Sequence, residues 1–248
     1  MERLLRIILV FFFVLVSLLA VLVGTVRFGL LNSNFVFGSL ERNKIYEKIP
    51  KEFSKSLLHD PNIPEEERVV YSEIAASISP EIAKKIIKTN VSSVINYLNG
   101  KAPDVQIFIS AKELGMPLAN DIAWSSSKDG STFTTSSIFY GIGDKIQILF
   151  FVLLVVLGIL YKFARRVGIL SAGIVLLFIG GVVKLFFYSI TANTPAVEPS
   201  QVLLVFLVLS LFSDILLSWI LIGAILIILW FILQNKSFFL GKIRYNKS

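Results

Sequence analysis

The chain has 248 residues, of which 55% are hydrophobic and 17% charged, and its formal net charge is +7. This balance excludes an ordinary soluble domain and indicates an integral membrane protein, because about 20 apolar residues cross a hydrocarbon core of about 30 Å. The lack of cysteine and the single histidine exclude disulfides, thiol nucleophiles, cysteine-ligated metals and a His-x-x-x-His helix. No phosphate-binding loop or nucleophile elbow occurs, so we predict no cofactor and no metal site.

Four long apolar runs predict four transmembrane helices. They lie at residues 7–26, 146–161, 168–190 and 215–234. The first run is longer than the roughly 7–15 apolar residues of a signal peptide, and no small-x-small cleavage site follows it. We interpret it as an uncleaved anchor, with a cleaved signal as the alternative. The predicted fold is an all-α integral membrane protein with a mostly helical domain, residues 27–145, between the first two helices.

Basic residues concentrate in the short segments outside the apolar runs. Residues 1–6, 162–167 and 235–248 together carry nine basic residues and one acidic residue, whereas residues 27–145 carry 14 of each. Since basic residues of short loops stay in the cytoplasm, we predict that both termini are cytoplasmic and that residues 27–145 are extracytoplasmic. The excess charge then faces the lipid bilayer, the one partner this pattern predicts directly. A nucleic-acid partner is excluded, because the large polar segment is neutral.

Small residues in two of the runs predict close helix packing. Ala20 and Gly24 lie four apart in the first run, and Gly173 and Gly180 lie seven apart in the third. Residues at these spacings share one face of a helix, where small side chains let a neighbouring backbone approach. The alternative is that such residues simply occur in any apolar helix.

The segment after the first run is predicted to be mostly helical. Apolar residues spaced four apart indicate an amphipathic helix over residues 40–58, which Pro50 would kink or divide. His59 begins a turn-rich linker, and Pro64 with the three glutamates after it begins a second helix. The predicted apolar stripe of that helix consists of Val70, Ile74 and Ile78.

The clearest helix signal lies at residues 80–98. Ser79 is suited to the N-cap, Pro80 to the first turn, and Asn99 with Gly100 to the end of the helix. These residues predict both bounds of the helix. Its apolar stripe consists of Ala83, Ile87, Val91, Val94 and Leu98.

One short strand, or a hairpin, is predicted after this helix. Residues 104–110 alternate apolar and polar side chains, as a half-buried strand does. A loose candidate for the partner strand is residues 131–138, although residues 124–137 are rich in serine and indicate an exposed loop. Phe139 and Tyr140 follow, where an aromatic belt at the membrane surface is expected.

The last apolar stretch, residues 201–234, is longer than one span requires. Ser213 and Asp214 are predicted to divide it, so that residues 191–214 form an outer loop with an interfacial or packed helix and residues 215–234 cross the membrane. Burial of the first part against protein is favoured, because it is more apolar than a surface helix. A single tilted helix is the alternative.

Two charges inside the apolar runs are candidate functional residues. Lys184 lies about 9 Å from the outer end of its run, and Asp214 lies at the outer start of the last one. We predict an intramembrane ion pair between them that holds the two helices together. The alternative is that Lys184 extends towards the surface while Asp214 caps its helix.

These features favour a non-enzymatic, multi-pass protein of a bacterial envelope, whose extracytoplasmic domain contacts another protein, a wall polymer or its own copies as a homo-oligomer. The bacterial assignment follows from a sizeable outer domain without disulfides. One alternative is a transporter or channel subunit that uses Lys184 and Asp214. Another is a membrane enzyme acting on lipid-linked or cell-wall substrates. Its candidate carboxylates are Asp104, Glu113, Asp121 and Asp214.

Overall fold

The computed structural model describes residues 2–59, 64–109, 122–127, 139–192 and 199–245. Its helices are α1 (Glu2–Gly24), α2 (Ser33–Arg42), α3 (Ile45–Leu58), α4 (Glu65–Ser77), α5 (Pro80–Leu98), α6 (Ile142–Ala192) and α7 (Pro199–Tyr245). A π-helical turn, Thr25–Leu30, continues α1, and the strands are β1 (Asp104–Ile109) and β2 (Ile122–Ser127). The described chain is therefore nearly all helical.

Three helices are long and apolar enough to cross a membrane, which is consistent with a membrane protein. They are Arg3–Leu30, Ile142–Phe186 and Val208–Gln234. Contacts divide the chain into two units. The apolar bundle consists of Met1–Thr25, Gln147–Ser189 and Ser213–Ser248, and the polar domain consists of Val26–Ile146 and Ile190–Phe212.

The helix α6 reverses direction at Arg165, whose backbone angles (φ 52°, ψ −144°) are not helical. Before this residue, α6 packs on α1: Gly24 lies against the ring of Phe150, and Phe13 belongs to one buried cluster with Ala164. Because residue numbers rise along α1 as they fall along this half of α6, the two segments are antiparallel. The reversal lies within the turn predicted at residues 162–167.

The second half of α6 packs antiparallel to α7, because Gly173 lies against Ile227 while Gly180 lies against Ile220. The helix α7 is also antiparallel to α1. Their two ends are marked by two contacts, a hydrogen bond from Trp219 Nε1 to Thr25 Oγ1 at 2.9 Å and the cluster that joins Phe13 to Trp230. Successive segments of the bundle therefore alternate in direction.

The helix α7 is continuous over 47 residues, so the predicted break of the helix at Ser213 and Asp214 is wrong, although the boundary between the two units falls between Phe212 and Ser213. Neither Ser213 nor Asp214 removes a backbone donor, and the Ser218 hydroxyl donates back to the Asp214 carbonyl at 2.9 Å within the helix. The first part of α7 belongs to the polar domain. There Leu211 packs against the hydrophobic core of the polar domain, and the hydroxyls of Ser210 and Ser39 lie 3.3 Å apart.

The predicted helix over residues 40–58 is divided at Asn43 and Lys44 instead of at Pro50. Lys44 has a positive φ of 53°, and the Asn43 side chain donates to the Ser39 carbonyl at 2.9 Å. This left-handed residue ends α2 and lets α3 start in a new direction. Pro50 lies inside α3, which continues through it.

The helix α4 does not bury the predicted stripe of Val70, Ile74 and Ile78. Its buried residues are Ser72 and Ala75, while Val70 is 53% exposed. The Ser72 hydroxyl donates to a carbonyl of its own helix at 2.8 Å, so a small polar residue is satisfied in a buried position. Hydrophobic spacing alone therefore assigned the buried face incorrectly.

The helix α5 confirms its predicted bounds, Pro80–Leu98, and the Ser79 hydroxyl accepts the Ile82 amide hydrogen at 3.3 Å as an N-cap. Together with α2 and α3, it forms the core of the polar domain. That core consists of Val36, Leu40, Ile45, Tyr46, Ile87 and Ile95.

The strand β1 confirms the prediction for residues 104–110 to within one residue. Its partner is β2 in an antiparallel hairpin, in which Ile107 pairs with Trp124. The candidate partner named from the sequence, residues 131–138, lies outside the described residues. The loop predicted from Trp124 onward was wrong at its start, because serine is tolerated in a strand where an isoleucine and a tryptophan supply the β propensity.

Candidate binding cleft around Asn99

Two glycines meet where the chain leaves α5 and where it enters α6. Gly100 has φ +70° and Gly141 has φ +64°, and a β-carbon on Gly100 would lie 3.4 Å from the Gly141 α-carbon. Only glycine adopts this backbone conformation without a steric cost, and only glycine permits so close an approach. Gly100 and Gly141 thus form a tight junction within the polar domain.

Two tyrosines close this junction. The rings of Tyr97 and Tyr140 meet edge to face with centroids 5.5 Å apart, and the Tyr140 hydroxyl donates to the Gly100 carbonyl at 3.2 Å. Tyr140 was predicted in a membrane-surface belt together with Phe139. Here Tyr140 is half-buried in a protein contact, and Phe139 is exposed.

Asn99 connects the junction to the segment that follows α1. Its Oδ1 accepts from Arg27 Nη1 at 3.3 Å, and its Nδ2 donates to the Leu31 carbonyl at 2.9 Å. Gly143 lies directly against the same Oδ1, so a side chain there would displace it. Asn99 is therefore fixed by partners that are distant in sequence.

A cleft of about 440 Å³ opens beside Asn99 within the polar domain. Its walls carry two cations, four asparagines and one serine, and no carboxylate occurs among the lining residues. They are Arg27, Phe28, Leu31, Asn32, Ser33, Asn34, Ile95, Asn96, Asn99 and Lys101.

The chemistry of this cleft is that of binding. Guanidinium and ammonium groups donate hydrogen bonds and carry positive charge, and amide side chains both donate and accept. The lining residues include no carboxylate, imidazole or thiol. These cations and amides are complementary to an anionic, oxygen-rich group. Sequence reasoning missed the cleft, since its residues come from two segments that are far apart in the sequence, 27–34 and 95–101.

A separate ion-pair cluster lies on the surface of the polar domain. The Glu41 carboxylate lies 2.9 Å from Lys84 Nζ and 3.1 Å from Lys88 Nζ. Hydrogen bonds from Lys84 and Lys88, together with their positive charge, lower the pKa of Glu41. Close by, burial and then the charge of Glu41 raise the pKa of Tyr46 to about 12. The Tyr46 hydroxyl is buried with no hydrogen-bond partner in the described part of the chain.

Each predicted packing residue lies inside the apolar bundle. Ala20 is buried, and Gly24 would bring a β-carbon to 2.9 Å from the Phe150 ring. A β-carbon on Gly173 would lie 3.0 Å from the Gly223 carbonyl oxygen. Gly180 faces Leu216 and Ile220 of α7 in the same way.

Gly223 is a packing residue that the sequence reasoning missed. A β-carbon there would lie 2.8 Å from the Gly173 carbonyl oxygen and 2.9 Å from the Leu177 amide nitrogen. Both close contacts are to backbone, so no side-chain adjustment relieves them. The signal was present in the sequence, because Gly223 is the only glycine between residues 182 and 240.

Lys184 and Asp214 lie at the same level of one helix pair. Gly180 contacts α7 between Leu216 and Ile220, so one turn further along this antiparallel pair brings Lys184 level with Asp214. Both residues are half-buried. The ion pair between them stays a prediction.

The carboxylates named for an enzyme do not form a described cluster. Asp104 begins β1, Asp214 lies in α7, and Glu113 and Asp121 lie outside the described residues. Within the described ranges, no group of three His, Cys, Asp or Glu side chains could hold a metal ion. Convergence of these carboxylates stays a prediction of the enzyme alternative.

No protein-family model, curated protein or solved structure matches this chain. The case for its function therefore depends on the geometry above.

Proposed function

We propose that this chain is a four-span envelope protein whose polar domain lies outside the cytoplasm and binds a partner there without catalysing a reaction. The cleft around Asn99 is the observation that supports this role best, because it combines two cations and several amides with no carboxylate. The partner contacts the polar domain, and the apolar bundle anchors that domain in the lipid bilayer.

The alternating directions within the bundle support four crossings. The reversal at Arg165 divides α6 into two antiparallel halves, so the three long apolar helices supply four segments. An even number of crossings places both termini on one side, and the nine basic residues at the ends and the central turn favour the cytoplasm.

Reporter fusions test this orientation. A fluorescent reporter that is active only in the cytoplasm, fused after Ser248, is expected to be active. An enzyme reporter that is active only outside the cytoplasm, fused to a chain truncated after Lys145, is expected to be active as well. The opposite pattern would place the polar domain inside and refute the proposal.

A transporter or channel subunit is the second candidate, since Lys184 and Asp214 lie at one level of a helix pair. Ion flux through vesicles that contain the purified protein would support it if replacing Lys184 with Gln, or Asp214 with Asn, removed that flux. Under the non-enzymatic binding proposal, vesicles with and without the protein leak ions equally.

A further inference from the structure

The geometry points to a phosphate-binding site in the Asn99 cleft, occupied by the headgroup phosphate of an anionic lipid. This inference rests on the proposed topology, in which Arg27 of the cleft directly follows the first membrane-spanning run. The charge of the cleft, its hydrogen-bonding groups and its position along the chain each contribute to the assignment.

The charge of the cleft selects an anion. Arg27 and Lys101 are its two charged lining residues, and both are positive. The Arg27 guanidinium donates to Asn99, and its planar fork of N–H donors matches phosphate oxygens. Lys101 is exposed and adds a second positive charge at the rim.

The amide side chains suit the rest of a phosphodiester. Asn32, Asn34 and Asn96 line the cleft beside the two cations. Amides donate to phosphate oxygens and also bind the hydroxyls of a headgroup such as glycerol. Asn99 is already engaged on both ends of its amide, so its part is to hold Arg27 in position.

The position of the cleft favours a lipid over a free phosphate. Arg27 directly follows the first apolar run, so the proposed topology places it near the lipid headgroups. Beside it, Phe28 lines the cleft and is 50% exposed. A cation next to an exposed aromatic side chain fits the boundary where a lipid phosphate meets its acyl chains.

The test measures lipid binding to the full chain in dodecyl maltoside. Native mass spectrometry would follow the titration of phosphatidylglycerol, phosphatidylcholine and, separately, inorganic phosphate. The variant combines Arg27→Gln with Lys101→Gln. The matched control combines Lys48→Gln with Lys51→Gln, which removes the same charge from exposed positions of α3. Circular dichroism and gel filtration check that both variants fold.

The inference predicts that phosphatidylglycerol binds more tightly than phosphatidylcholine. It also predicts that the Arg27/Lys101 variant weakens phosphatidylglycerol binding roughly tenfold or more, because it removes charge-assisted hydrogen bonds to the phosphate. The control variant should bind like the original chain. If the double variant does not fold because of Arg27→Gln, the single variants Arg27→Lys and Lys101→Gln are expected to give intermediate affinities for phosphatidylglycerol.

Two results would overturn the inference. One is an equal loss of phosphatidylglycerol affinity in the cleft variant and the control variant, which would show that only non-specific charge attraction is involved. The other is a site that saturates with inorganic phosphate and shows no preference among lipids, which would remove the lipid assignment. Because binding in detergent does not depend on orientation, failure here is distinct from failure of the reporter fusions.

Discussion

The apolar bundle and the polar domain differ in the size of the residues at their internal contacts. In the bundle, α6 and α7 approach each other backbone to backbone where Gly173 meets Gly223. In the polar domain, the core is built on large side chains, among which Leu40 is fully buried. Burial of apolar area from water stabilises a fold, whereas moving apolar area out of lipid does not. Helices in lipid are therefore stabilised by close van der Waals packing. We therefore expect truncation of a large side chain to destabilise the polar domain most, and enlargement of a glycine to destabilise the bundle.

Polar groups also differ between the two units. In the bundle, the hydroxyls of Ser17 and Thr25 donate to carbonyls of their own helix at 2.7 Å. In the polar domain, Asn99 joins segments about 70 residues apart in sequence. The bundle hydroxyls are satisfied within their own helix, and Thr25 also accepts from Trp219 of α7, whereas Asn99 fixes the segment that contains Leu31 in the polar domain.

Truncation of the polar core should give the largest effect. Leu40→Ala removes a fully buried side chain and is expected to lower the free energy of unfolding by about 2–5 kcal/mol, from lost burial and the cavity left behind. Leu58→Ala, at a position that is 41% exposed, is the control and should cost much less. Chemical denaturation of the purified protein measures both, and equal losses would contradict the assigned core.

Enlargement of the bundle contact should come next. Gly223→Ala places a methyl group against the backbone of Gly173 and Leu177, and should destabilise the protein by about 1–3 kcal/mol. Gly181→Ala is the matched control, because nothing lies within 4 Å of a β-carbon there. Thermal unfolding in detergent compares the two. A Gly223→Ala variant as stable as Gly181→Ala would refute the close packing of α6 on α7.

Loss of the Asn99 side chain should have a smaller effect, confined to the polar domain. Asn99→Ala removes its hydrogen bonds with Arg27 and Leu31, at about 0.5–1.5 kcal/mol for each bond. Asn34→Ala, at an exposed lining position, serves as the control for stability. Hydrogen exchange should show faster amide exchange after Asn99→Ala in the segment that contains Leu31. Unchanged protection there would show that Asn99 does not fix the cleft.

Tyr46→Phe should have the smallest effect at neutral pH, because it removes a buried hydroxyl that has no hydrogen-bond partner in the described part of the chain. The pKa of Tyr46 is raised to about 12 from 10.0, so unfolding exposes a phenol that ionises more readily. Its contribution to stability is complete below pH 10 and is lost as the pH rises towards 12. The variant should therefore lose less stability than the original chain over that interval. Identical pH profiles would contradict the burial of Tyr46.

The sequence was sufficient where a feature is local. Ser79 and Pro80 begin α5 and Gly100 follows its end, so its bounds were predictable, and the basic turn at 162–167 contains the reversal at Arg165. It was insufficient where distant segments decide the outcome. Lysine is not a residue type that predicts a left-handed backbone, so the conformation of Lys44 could not be foreseen. The serines of β2 indicate a loop, and only the pairing with β1 identifies the strand.

The cleft around Asn99 could not be predicted for the same reason. Its two cations lie 74 positions apart in the sequence and meet only after α5 and the segment after α1 have packed. In contrast, Gly173 and Gly180 could be named from spacing alone, because helical periodicity is a local property. Their partner Gly223 needed the register between α6 and α7.

The central claim is that the apolar bundle lies in lipid and that the polar domain lies outside the cytoplasm. Cysteine labelling in intact cells tests this claim most directly. The chain has no cysteine, so a single introduced thiol reports its own position. Lys48→Cys lies at an exposed position of the polar domain, and Lys162→Cys lies exposed beside the reversal in α6. A membrane-impermeant maleimide should label Lys48→Cys in intact cells, and Lys162→Cys only after lysis. Labelling of Lys162→Cys in intact cells, with Lys48→Cys protected, would contradict the topology.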